Sequence, residues 1–254
     1  KRGFMPAVIA YAAQPIPQGL LVQIQGALLC LAFGPGWLRL LNVNFFYFLV
    51  LQAATAYAAW YVSGRRLRWA MLAVGLVLAL SPPYYWAGGV MDFRLDFVAF
   101  CVYGVFIAAV IRSDAFASRR WSFAAGAVAG ALIWLRTLTV TYLFGVTAVM
   151  IVFFLLRKGL RANPHLRNAG LALCVLGAAA TLVVAMQSHA LYAYYGVGHG
   201  SGQEAAIRAD ELGLGSLWSQ LIFYPSSLLG THLGETFAAS AGLILLAAVA
   251  VRRN

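Results

Sequence analysis

The stretch Asp92–Arg120, DFRLDFVAFCVYGVFIAAVIRSDAFASRR, decides how the rest of the chain is read. Three ionisable groups, Asp92, Arg94 and Asp96, open an apolar run, Phe97–Ile111, which ends at Arg112 and is followed by Arg119-Arg120. The run approaches the roughly 20 residues that a helix needs to cross a bilayer. It carries acids at one mouth and arginines at the other. Charged groups at the mouth of a membrane helix are costly and usually mark a site or a pathway. The chain has only 7 acidic residues in 254, and two of them, Asp92 and Asp96, stand at this mouth.

Composition extends this reading to the whole chain. It is 63% hydrophobic and 10% charged, with a mean hydropathy of +0.82. A soluble domain would carry about a quarter charged residues. The expected fold class is therefore all-α, a polytopic transmembrane helical bundle. The net charge of +11 does not point to nucleic acid. The arginines fall in short clusters between apolar runs, as expected for loops on the cytoplasmic side of a membrane. Those clusters are Arg65-Arg66-Leu-Arg68, Arg112 with Arg119-Arg120, Arg157-Lys158 with Arg161 and Arg167, and Arg252-Arg253. Cys30, Cys101 and Cys174 lie in apolar segments without CxxC or metal-ligand spacing and read as small buried hydrophobes. The chain opens on Lys1 without a signal-peptide pattern, and the expectation is an internal fragment of a longer membrane protein.

Apolar runs and breakers predict about seven spans, near 42–62, 69–83, 96–112, 120–135, 138–156, 168–187 and 235–251. With every basic cluster on the cytoplasmic side, all seven alternate consistently. The outer side then receives residues 1–41, the 84–95 loop, the Arg136-Thr-Leu-Thr turn and the long 188–234 segment. Gly19–Phe33 is apolar but short, carries Gln23 and Gln25, and ends at Gly34-Pro35-Gly36. It is expected as a juxtamembrane helix on the outer face, with Pro15 and Pro17 setting its start. The 188–234 segment reads as an outer loop with a flexible Gly196–Gly202 stretch and an amphipathic piece at Leu217–Leu229.

The candidate chemistry collects at the outer boundary. Asp92 and Asp96 are four apart and would share one face of a helix, with Arg94 between them. Two carboxylates beside a guanidinium suit division of roles, deprotonation of a hydroxyl, or a divalent cation held through carboxylate oxygens. The structural alternative is a helix cap at Asp92 and a snorkelling Arg94. Arg136 interrupts what is otherwise one apolar stretch from Trp121 to Leu156, at the same expected level. Its guanidinium suits a lipid-linked phosphate or, more plainly, an interfacial anchor. Tyr84 and Tyr85 in the outer loop and His189 complete the candidate substrate-binding set. His165 is expected to be solvated in the arginine-rich loop, and no histidine pair has metal spacing. Gly126 and Gly130 form a small-xxx-small pair that reads as close helix packing. No Walker loop, GxSxG elbow, HExxH or nucleotide fingerprint is present.

Three local patterns resemble the polytopic glycosyltransferases of the GT-C class, including the mannosyltransferase and aminoarabinose-transferase-like enzymes of the dolichyl-phosphate-mannose–protein mannosyltransferase family. One is Pro15-Ile-Pro-Gln-Gly-Leu20, the apolar helix to Phe33 and Gly34-Pro-Gly-Trp-Leu-Arg39-Leu-Leu-Asn42, similar to a juxtamembrane helix, glycine turn and arginine before a span. Another is Ser81-Pro-Pro followed by Asp92-Phe-Arg-Leu-Asp96, similar to an outer loop with a second acidic position. The third is Gly126-Ala-Val-Ala-Gly130-Ala-Leu-Ile-Trp-Leu-Arg136-Thr, similar to a Gly-rich helix ending in a basic residue. The resemblance covers residues 15–145 and implies inverting transfer of a sugar from a polyprenyl-phosphate donor at the outer face. Two features depart from the family. Its principal acid lies just after a first membrane helix that precedes this chain, and its Pro-Pro appears here as Pro15-Ile-Pro17. Asp92 and Asp96 would then be second-site acids, and the fragment alone is expected to be inactive.

Two functions follow as expectations. In the first, a lipid-linked sugar transferase, an upstream carboxylate is the base on the acceptor hydroxyl. Asp92 or Asp96 supports the acceptor or a divalent metal, and Arg94 and Arg136 hold the donor phosphate. The acceptor is a glycan, lipid or protein, and the expected location is a bacterial inner membrane. The alternative is a transporter or flippase for an amphipathic or lipid-linked substrate, with the same charges lining its route. That class favours repeats and midplane charges, whereas here the charges lie at the boundary. A purely structural subunit would not need four such charges at one level.

Overall fold

A computed structural model describes residues 19–79, 89–91, 93, 95–139, 143, 147, 148, 152, 156, 163–198 and 202–227. Every element among them is helical, and no strand occurs among them. The chain divides into two units, Lys1–Leu191 and Tyr192–Asn254. Three helices are long and apolar enough to cross a membrane: Trp37–Val62, Leu95–Arg112 and Pro164–Gly198. The protein is accordingly an all-helical membrane protein. Of the seven expected spans these three reach full length. The segment expected at 69–83 is an apolar helix of 13 residues, Leu67–Ala79, and that at 120–135 is a helix of 17 residues, Arg119–Leu135. Both are shorter than Leu95–Arg112, the shortest of the three, which has 18 residues. The expected spans at 138–156 and 235–251 lie largely or wholly outside the described residues.

In the first unit the helices are α1 (Leu20–Phe33), α2 (Trp37–Val62), α3 (Leu67–Ala79), α4 (Leu95–Arg112), α5 (Arg119–Leu135) and α6 (Pro164–Leu191). Breakers set their ends. Gly34, at φ +83°, closes α1 in a conformation that L side chains rarely adopt, and Arg39 lies against it. α4 is the centre of the unit, with 50% of its apolar window buried against 11% for α2. Phe97, Val98, Cys101, Val102 and Phe106 form its core face, with Leu51 of α2 seated on Gly104. The outer surface of α2 exposes Phe45, Phe46 and Leu49, as a lipid-facing helix does.

α5 and α6 run in the same direction and pack through small residues. A Cβ on Gly126 would meet the Ala172 backbone oxygen at 2.6 Å, and one on Gly130 would meet the Ala179 methyl at 2.8 Å. The Trp134 indole N–H donates to the Ala179 carbonyl at 3.2 Å across the same interface. Without an aqueous hydrophobic drive inside lipid, such close backbone approach is what holds neighbouring helices. The small-xxx-small reading of Gly126 and Gly130 is therefore what the structure contains.

α4 and α5 are joined by a turn in which Asp114, Ala115 and Phe116 all have positive φ, at 53°, 53° and 70°. Three successive left-handed non-glycine residues cost roughly 1–2 kcal/mol each, so the turn needs external support. Asn168 Nδ2 supplies it by donating to the Phe116 and Ala117 carbonyls at 2.9 and 2.8 Å. His165 Nδ1 bonds the Ala115 carbonyl at 2.7 Å. His165 is thus half-buried and engaged rather than solvated, because α6 begins directly against this turn.

The second unit contains a π-helical stretch, Tyr192–Gly198, and helices α7 (Gln203–Leu212) and α8 (Leu217–Ser227). The stretch expected as loop is helical over most of its described length. Ser216 caps α8, with the Ser219 N–H donating to Ser216 Oγ at 3.1 Å and the Ser216 N–H to Ser219 Oγ at 3.1 Å.

Candidate functional site

The antiparallel arrangement of α4 and α5 brings the beginning of one beside the end of the other. Asp96 lies in the first turn of α4 and Arg136 is the C-cap of α5. Each charge is favourable at its helix terminus, an acid at the N-terminal end and a base at the C-terminal end. Arg136 Nη1 forms an ion pair with Asp96 Oδ1.

The backbone around Arg136 is held firmly. Its N–H donates to the Leu132 carbonyl at 2.8 Å. The chain then turns through a 3-10 segment, Thr137–Thr139, and buried Thr139 folds back over the helix end. Thr139 Oγ1 lies 3.0 Å from the Leu132 carbonyl and 2.6 Å from that of Arg136. The threonine hydroxyl thus adds a second donor at carbonyls that already accept from the Arg136 and Thr139 N–H groups, and closes the turn over the helix end. The expected Arg136-Thr-Leu-Thr turn is present as this staple.

A cleft of about 410 Å³ opens beside the pair, lined by Asp96, Ala99, Phe100, Tyr103, Arg136 and Thr139. Asp96, Ala99, Phe100 and Tyr103 follow i, i+3, i+4, i+7, one face of α4. The charged mouth therefore continues into an apolar and aromatic wall. Phe100, Tyr103 and Thr139 were not among the residues expected from sequence. The helical spacing from Asp96 is the signal that would have found the first two.

Other elements fix this end. Asn44 of α2 donates to the Val90 carbonyl at 3.0 Å and anchors the segment before α4. Gly19 lies against the Leu135 carbonyl, and a Cβ on Gly26 would meet the Phe93 ring at 2.9 Å, so α1 packs at the end of the unit that carries Arg136. Its glutamines face protein. Gln25 Nε2 donates to the Tyr47 hydroxyl at 2.8 Å, while Gln23 Oε1 is buried without a hydrogen bond among the described residues.

Of the expected site residues, the structure joins Asp96 and Arg136. Asp92, Arg94, Tyr84 and Tyr85 lie outside the described residues. α4 begins at Leu95, so the shared helical face expected of Asp92 and Asp96 falls outside the described helix. His189 is exposed in the last turn of α6 and does not line the cleft. Among the described residues no three His, Cys, Asp or Glu side chains gather in a metal-binding group. Asp96 gives its Oδ1 to Arg136, and the divalent-cation reading rests on Asp92 as its other carboxylate.

No family model, no curated protein and no solved structure matches the chain.

Proposed function

We propose that the chain forms part of a membrane glycosyltransferase that moves a sugar from a polyprenyl-phosphate donor to an acceptor on the outer face of the membrane. The observation that carries this reading is the Asp96–Arg136 pair at the mouth of a cleft whose wall is Ala99, Phe100 and Tyr103. A polyprenyl-phosphate sugar has the same build, an anionic head on an apolar chain. Arg136 has further donors beyond the one used on Asp96 and takes the donor phosphate in a fork geometry. Phe100 and Tyr103 receive the first isoprene units. The phosphate displaces the carboxylate, leaving Asp96 to orient the acceptor hydroxyl; a divalent cation would be held by Asp96 with Asp92 and would polarise that hydroxyl.

In the transfer, the acceptor oxygen bonds to the anomeric carbon as the bond from that carbon to the phosphate oxygen breaks. Polyprenyl phosphate leaves, and a carboxylate of the enzyme takes the hydroxyl proton as general base. Arg136 stabilises the charge that develops on the leaving phosphate.

The test is transfer from polyprenyl-phosphate sugars by the full-length protein and its Arg136→Gln and Asp96→Asn variants. Loss of transfer in both, with folded protein, is the expected result. Wild-type rates in Arg136→Gln would remove the phosphate role. Movement of intact lipid-linked substrate across vesicles, without cleavage, would identify a flippase instead.

A further inference from the structure

The opposite end of the first unit carries a second built feature that the transferase reading does not use. Arg112, in the last turn of α4, donates from Nε to the Tyr57 hydroxyl at 2.9 Å. Its guanidinium lies 4.7 Å from the Tyr61 ring centroid and 4.9 Å from that of Trp121. Tyr57 and Trp121 stack at 6.5 Å with 29° between their planes. Three aromatic side chains from α2 and α5 thus fix one guanidinium from α4, and cation–π contact of this kind strengthens as water is excluded.

This cage holds Arg112 by its faces and its Nε. Among the described residues neither Nη has an acceptor. The group is therefore a pre-oriented fork with its outer donors open, the geometry that suits a phosphate. The local field favours an anion. Arg65 and Arg66 sit between α2 and α3, Arg119 and Arg120 open α5, and the described acids of the unit are Asp114 in the turn and Asp96 at the far end. Next to these arginines, Val62, Leu67, Met71 and Phe123 are exposed apolar side chains. A ligand here meets a guanidinium and hydrocarbon together.

We infer that Arg112 heads a binding site for the phosphate of an anionic phospholipid in the leaflet at the arginine-rich end. Basic groups near the membrane surface attract such lipids. The cage turns this diffuse attraction into one preferred position, and the acyl chains lie along the exposed apolar faces of α3 and α5.

The experiment is native mass spectrometry of the full-length protein in detergent, titrated in parallel with phosphatidylglycerol and phosphatidylcholine. The first phosphatidylglycerol is expected to bind roughly tenfold more tightly, the scale of a charge-assisted hydrogen-bond set. Arg112→Gln removes that preference, and Tyr57→Phe weakens it in the same direction. Tyr57→Phe keeps the test in force if Arg112→Gln does not fold, as judged by circular dichroism. Arg39→Gln, which removes an exposed arginine at the other end of α2, leaves the preference within about twofold. Three results overturn the proposal: no preference in the wild type, an equal loss in Arg39→Gln, or displacement of the first lipid by millimolar inorganic phosphate. The last would mark a site for the free anion.

Discussion

Asp96 and Arg136, on neighbouring antiparallel helices, form an ion pair whose side chains remain 45% and 35% exposed. Pairs this accessible contribute little to stability, about 0–1 kcal/mol, because water already solvates both partners. A double-mutant cycle with Asp96→Asn and Arg136→Gln, followed by thermal unfolding, is expected to give a coupling of no more than about 1 kcal/mol. A coupling near 3 kcal/mol would make the pair a structural clamp.

Thr139 is the residue on which the position of Arg136 depends. Thr139→Val keeps the shape and removes the hydroxyl that bonds the Leu132 and Arg136 carbonyls. The expected cost is about 0.5–1.5 kcal/mol, the net value of one hydrogen bond, since both carbonyls keep a backbone donor. Thr139→Ser restores most of it. Unfolding curves of the three proteins check this, and equal stability of the Val and Ser variants would contradict it.

Gly126 and Gly170 make a matched pair of tests. Alanine at Gly126 pushes a methyl into the Ala172 backbone, whereas at Gly170 it meets nothing within 4 Å. Gly126→Ala is expected to destabilise by about 1–3 kcal/mol, and Gly170→Ala to be neutral or stabilising by up to about 1 kcal/mol. Equal effects would mean that α5 and α6 do not pack through their backbones.

The wall of the cleft predicts a chain-length effect. Phe100→Ala removes apolar area worth about 1.5–3 kcal/mol when buried by a ligand. Long-chain polyprenyl phosphates should lose most of that in binding, while a water-soluble short-chain phosphate loses little. An equal loss for both would take Phe100 out of the prenyl path.

Much of the helical order was readable because its causes are local. Arg112 and Arg119 bound α4 and α5 since arginine is costly within hydrocarbon, and the expected 96–112 and 120–135 segments differ by one residue from Leu95–Arg112 and Arg119–Leu135. Arg136 and Asp96 were legible as rare charges. Phe100 and Tyr103 were missed because α4 is apolar on every side, so hydrophobic periodicity does not mark the cleft wall and only their spacing from Asp96 places them on its face. The left-handed turn at Asp114–Phe116 was equally hidden. Asn168 and His165 of a distant helix sustain it, and no local glycine announces it. In the second unit, glycines at 196–202 suggested a flexible stretch, yet 196–198 are helical, whereas the amphipathic piece expected at Leu217–Leu229 is described as the helix Leu217–Ser227.

The measurement closest to the central claim is the affinity of the full-length protein for a polyprenyl phosphate, compared between wild type and Arg136→Gln. A roughly tenfold to hundredfold weaker Kd is expected in the variant, from the loss of charge-assisted bonds to phosphate, with folding unchanged. An unchanged Kd would contradict it and leave Asp96–Arg136 as a contact between two helix ends.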